Sequence, residues 1–125
     1  MEWALEQARM RNPVVGGFHS PLERSVLELL LEAGSPAIVV LARAIKPAQL
    51  PSHWHEALKK GHLVIVSAAD TSPQITEQHA IERNDLVARL ATTIVIAHAS
   101  PGGGLEAQVA VWRSCNLAVR NLRRE

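Results

Sequence analysis

The chain has 125 residues and is 47% hydrophobic, which suits one globular domain with a modest core and excludes a disordered chain. Aromatics are only 3% with no Tyr, and net charge is +1, so a base-stacking platform is excluded and any basic patch must be local. The single cysteine, Cys115, excludes an internal disulfide, and no apolar run long enough to span a membrane and no signal peptide is visible, so a cytoplasmic protein with no membrane partner is expected.

Met1 to Asn12 is a short helical candidate whose apolar residues are Trp3, Leu5, Ala8 and Met10. Pro13 to Gly17 reads as a short strand ending in two glycines, and Phe18 and His19 form the turn after it. Ser20-Pro21-Leu22-Glu23 is the strongest local signal. Ser20 is a natural N-cap, Pro21 suits the first helical position, and Glu23 completes a capping box. Val26, Leu29, Leu30 and Ala33 then trace one helix face, and Gly34 is a suitable residue just past its end.

Ala37 to Ala42 is a second, buried strand, followed by a loop from Arg43 to Pro51. Ser52 can cap a short helix from His53 to Lys60 that ends at Gly61. Leu63 to Ser67 is a third buried strand. Gln74 to Ala91 reads as a long helix with Ile75, Leu86, Val87 and Leu90 inward. Thr93 to Ala97 is a β-branched strand that runs into Pro101 and three glycines. Leu105 to Ser114 is a helix with Leu105, Val109 and Trp112 on one face, and Asn116 to Leu122 is a final edge strand.

Apolar strands alternating with helices point to βαβ units. The expected fold is α/β: a mainly parallel sheet of four to five strands with helices on both faces, in one domain over residues 1–125. Ligands bind such sheets at the carboxyl ends of the strands. Three of these ends carry small or polar residues: Gly16-Gly17, Ser67 and the turn through Gly104.

The order of the pieces resembles a known family. VVGGFHSPLE, AIVVLA, GHLVIVS and ERNDLVARLATTIVIAHASPGGG are similar, in sequence and spacing, to the Rossmann-like domain of the DNA-processing protein A (Smf) family. Its superfamily includes the lysine-decarboxylase-like phosphoribohydrolases. Val14 to Gly17 matches the strand with a glycine pair, Leu63 to Ser67 the strand ending near Ser, and Arg83-Asn84 the Arg-Asn pair ahead of a β-branched strand. The resemblance implies a Rossmann-like three-layer sandwich that binds a nucleotide or single-stranded nucleic acid. The family's first strand, with its Gly-Ser-Arg turn, has no counterpart ahead of Pro13, and Phe18-His19 stands where the family places an Arg. The turn Pro101-Gly102-Gly103 resembles that of the phosphoribohydrolases, but Gly104-Leu105-Glu106 follows it in place of a Gly-Thr pair and a later Glu.

The candidate phosphate or nucleotide contacts are Gly16, Gly17, His19, Ser20, Ser67, Arg83, Asn84, Pro101, Gly102, Gly103 and Gly104. Glycine turns between a strand and a helix let backbone N–H groups meet an anion at the positive end of the helix dipole. Arg83 brings a fork of donors that fits a phosphate, or else belongs to a solvated helix face. His19 and Glu106 are candidates for acid/base work, against an exposed turn residue and a dipole-favoured carboxylate. His53 and His55 are two apart on a helix and do not make a metal pair; neither metal nor cofactor is expected. Three readings follow: a non-catalytic nucleotide- or nucleic-acid-phosphate-binding module, a nucleotide-directed hydrolase, and a degenerate interaction domain whose uncovered sheet edge pairs in a homodimer.

Overall fold

The computed structural model describes residues 2–46, 50–67, 76–96, 104–115 and 117–122. The protein is α/β. Its elements run α1 (Glu2–Met10), β1 (Val14–Gly16), α2 (Pro21–Glu32), β2 (Ala37–Leu41), α3 (Trp54–Lys59), β3 (Leu63–Ser67), α4 (Glu77–Leu90), β4 (Ile94–Ile96), α5 (Gly104–Ser114) and β5 (Val119–Asn121). Contacts divide the chain into two compact units, Met1–Val87 and Ala88–Glu125.

Every ladder is parallel, as continuous apolar strands separated by helices require. The strands form two ladders, β1-β2-β3 and β4-β5, where one sheet of four to five strands was expected. In the first unit the register sets Val14 beside Ala37 and Gly16 beside Val39; Ala37 pairs in turn with Leu63, and Leu41 with Ser67. The side chains of Val14, Ala37, Val39, Leu41, Leu63 and Ile65 share one core with Leu27 and Leu30 of α2 and Ala57 of α3. Both helices therefore cover one face of the sheet. Strands laid down in one direction by right-handed crossovers give this result. On the opposite face Val40 is fully buried while Val64 is 51% exposed.

The capping box of α2 forms as its residues predict: Ser20 accepts from the Glu23 N–H, and the Glu23 side chain reaches back to the Ser20 backbone. Gly34 follows the helix with φ of 66°, the left-handed conformation that glycine adopts without strain. The buried face differs by one position. It runs through Leu27 and Leu30, with Val26 and Leu31 packed beside them, while Ala33 is exposed at the C-cap. A stretch as leucine-rich as VLELLLE offers two overlapping apolar stripes, and packing selects one.

In α1 the inward residue is Ala4, with Ala8 packed on the core, while Leu5 and Met10 are exposed; small residues let this helix lie close against α2. Two further expectations are corrected. Ser52 does not cap α3: His53 holds the N-cap position with no side-chain bond there, and its Nε2 lies 2.7 Å from Glu28 Oε1 of α2. In α4 the buried positions are Arg83 and Ala88, and Leu90 is 51% exposed; Ile75 lies outside the described residues. The α4 pattern was read from apolar residues alone, so a buried arginine was invisible to it.

The second unit holds Ala88, Ile94, Ile96 and Trp112 in its core, with Leu105, Val109 and Val119 packed against them. The α5 face predicted from Leu105, Val109 and Trp112 is the observed one, and the final strand forms over Val119–Asn121. No described helix is long and apolar enough to cross a membrane.

Candidate functional site

The site is built where β1 ends. Val14 and Val15 continue the sheet, and then two residues without side chains carry the backbone past two bulky groups. A Cβ on Gly16 would lie 3.4 Å from the ring of Phe18. A Cβ on Gly17 would lie 2.8 Å from Arg83 Nε and 2.9 Å from Arg83 Cδ, distances that real side chains do not tolerate. Gly17 is therefore required by the close approach of a guanidinium, and not by its own backbone angle.

Phe18 turns the chain toward α2 with φ of 48°. This left-handed conformation costs an L-residue with a Cβ roughly 1–2 kcal/mol. Phe18 is 7% exposed and its ring belongs to the main core, so burial of the ring offsets the cost. The turn is thus held by an anchor beneath it.

Arg83 comes from the middle of α4 and is 4% exposed. Its Nε and Nη2 donate to Asn84 Oδ1 at 3.3 and 3.1 Å. Among the described residues it forms no ion pair with a carboxylate. Burial pulls its basicity below the ordinary value, and the negative charge of Glu23 acts in the opposite sense. The solvated-face alternative for Arg83 is therefore overturned. A buried, always-charged guanidinium whose nearest acceptor is a neutral amide is an incompletely compensated cation.

The residues of the helix cap follow Gly17 and Phe18 in the chain. Ser20 Oγ donates to Glu23 Oε2 at 2.5 Å, and His19 Nδ1 lies 3.7 Å from the same oxygen. His19 and Glu23 are both partly open to solvent, with side chains 56% and 40% exposed. Pro21 has no N–H and the Glu23 N–H is already taken by Ser20 Oγ. The positive character of this corner thus comes from Arg83 far more than from the end of α2.

Gly17, Arg83 and Asn84 are thus brought together in the first unit, while Gly16, Phe18, His19, Ser20 and Glu23 adjoin Gly17 along the chain. Ser67 ends β3 at the same carboxyl edge, where its Oγ donates to the Arg43 carbonyl at 2.7 Å. Pro101, Gly102 and Gly103 lie outside the described residues. Gly104 opens α5 and a Cβ there would meet open space, so packing does not demand glycine at that position. Glu106 stands in the first turn of α5, where a carboxylate favours the helix dipole. The roles of Phe18 as anchor and of Glu23 as a charge acting on Arg83 were not visible in the sequence, because each depends on a residue distant along the chain. Comparison with known protein families, with characterised proteins and with solved structures finds no match for this chain.

Proposed function

We propose that this protein is a Rossmann-like phosphate-binding module related to DNA-processing protein A, which holds the phosphate of a nucleotide or of a nucleic acid at the Gly17–Arg83 corner. One observation carries this: the buried Arg83 guanidinium rests on a glycine at a strand's carboxyl end without a carboxylate partner among the described residues. Incompletely compensated buried cations are costly, and an oxyanion is the group that a guanidinium fork matches best. Asn84 fixes the plane of the fork, and Ser20 and His19 border the same corner.

The test is calorimetric titration of the protein with inorganic phosphate, nucleoside monophosphates and short single strands with and without a 5′-phosphate. Binding of at least one of them is expected, and its loss in Arg83→Met. Met fills most of the arginine's volume without its charge, so the variant is expected to be as stable as the parent or slightly more so. If Arg83 is only a strut between β1 and α4, Arg83→Met instead lowers stability by about 2 kcal/mol or more and alters no binding. That result, or the absence of any phosphate binding by the parent protein, overturns the proposal.

A further inference from the structure

We infer that Asn84 is the positioning residue of the phosphate site: its amide oxygen takes one edge of the Arg83 guanidinium and leaves the other edge, with the charge uncancelled, to grip a single phosphate group end-on. The inference rests on the phosphate site proposed above. A guanidinium presents its N–H donors along two forks, one formed by Nε with Nη2 and one by Nη1 with Nη2. Arg83 Nε and Nη2 both donate to Asn84 Oδ1, at 3.3 and 3.1 Å, so the first fork is occupied. An arginine only donates, so the Asn84 atom that faces it must be the oxygen. The second fork runs through Nη1, which meets no acceptor among the described residues. Nor is Nη1 enclosed: the described side-chain polar atoms that are both enclosed and unpartnered are Ser35 Oγ and Trp54 Nε1. The 4% of Arg83 that stays exposed therefore includes Nη1. The backbone at Gly17 lies against Nε, Cδ and Cζ, away from that end. The Nη1 end is thus the way in.

Two features of Asn84 are foreign to a helix. It sits near the middle of α4, where asparagine competes with the helix's own hydrogen bonds and is a poor helix former. Neighbouring residues of a helix also point about 100° apart, so side chains at i and i+1 do not ordinarily meet. The bond to Arg83 gives the amide a purpose. An aspartate has the same shape and would hold the fork more strongly, but it would also cancel the charge. The neutral amide orients the cation without neutralising it. With one fork taken, Arg83 cannot bridge two phosphates. Nη1 and Nη2 together reach two oxygens of one phosphate group, in a phosphodiester or at a chain's end.

Sulfate is the probe, because its charge is constant around neutral pH. Its binding is followed through the Arg83 side-chain resonances of the full chain at low temperature, assigned by their absence in Arg83→Met. In the parent protein sulfate is expected to shift the Nη resonances, while the Nε–H, still bonded to Asn84, moves little. Asn84→Asp is expected to weaken binding roughly tenfold or more without lowering the melting temperature, because a carboxylate there stabilises the guanidinium and competes for it. Asn84→Ala suits the helix and is expected to weaken binding roughly threefold, because the fork is no longer held in place. The parent spectrum and Asn84→Ala decide the matter even if Asn84→Asp folds poorly. A larger shift at Nε–H than at Nη, alanine-variant binding as tight as the parent's, or a folded Asn84→Asp that binds no more weakly than Asn84→Ala overturns the inference and leaves the phosphate site standing. Failure of sulfate to shift any Arg83 resonance in the parent overturns the site itself, and the inference with it.

Discussion

Replacing Gly17 by Ala puts the close approach of Arg83 to a direct test. The added methyl would lie 2.8 Å from Nε, 2.9 Å from Cδ and 3.2 Å from Cζ of that side chain. Carbon and nitrogen atoms prefer about 3.5 Å or more, so the guanidinium must retreat by roughly 0.7 Å. The atoms struck are in the middle of the side chain, and Arg83 is buried and bonded to Asn84, so it cannot simply swing away. Overpacking of this kind costs about 1–3 kcal/mol. Taking about 2 kcal/mol, and about 4 °C per kcal/mol for a chain of this size, the melting temperature falls by about 8 °C. The anion binding proposed at Arg83 is expected to fall with it. The same change in an Arg83→Met background has no rigid neighbour to strike. Gly17 does not adopt the left-handed conformation, so alanine is tolerated there and reduces the freedom of the unfolded chain, a gain of roughly 0.4–1 kcal/mol. The double-mutant cycle, run by urea denaturation, is thus expected to reverse the sign of the Gly17→Ala effect. Equal losses in both backgrounds would refute the close approach of Arg83 to this glycine.

Two other outcomes are expected. Phe18→Ala removes a ring from the core and costs about 3–4 kcal/mol, whereas Phe18→Gly loses the same ring but relieves the left-handed strain. In urea denaturation the glycine variant is therefore no less stable than the alanine variant, an inversion of their usual order, and a glycine variant clearly weaker than alanine counts against strain at this turn. The hydrogen bond from Lys60 at the C-cap of α3, 2.9 Å from the Glu56 carboxyl, and then its positive charge hold that carboxyl below its ordinary range. Its folded value is depressed, so its contribution is present above the ordinary carboxylate range and is lost as pH falls through the folded value. Carbon-detected NMR titration checks this, and Lys60→Met is expected to bring the midpoint back up.

Much of the first unit was legible from local chemistry. Ser20, Pro21 and Glu23 act through neighbours within one turn, so their pattern and their structure coincide. The strands at Ala37 and Leu63 declare themselves by apolar runs that only a covered parallel sheet accepts. What escaped was set by residues distant in sequence. Nothing near Arg83 announces that its side chain crosses to Gly17, and helix periodicity counts an arginine as a surface residue by default. His53 likewise displaced Ser52 from the start of α3, and its partner Glu28 lies on another helix. The division of the strands into two ladders was equally out of reach, because strand composition does not specify which strands are neighbours. Of the candidate site, Gly16, Gly17, Arg83 and Asn84 were each picked out by type, while the reason they belong together is a contact between β1 and α4.

The parallel register has a consequence for how this chain reaches its fold. Val14 meets Ala37, and Ile94 meets Val119, only after the chain between them has returned through a whole helix. None of the described strand pairs can close as a hairpin, so the entropy of a long loop must be met before the first rung forms. Helix α2, whose ends are both marked by local signals, shortens that loop as it winds. The cap at Ser20 and the glycine at Gly34 therefore govern not only how long the native state lasts but how soon β1 and β2 first meet.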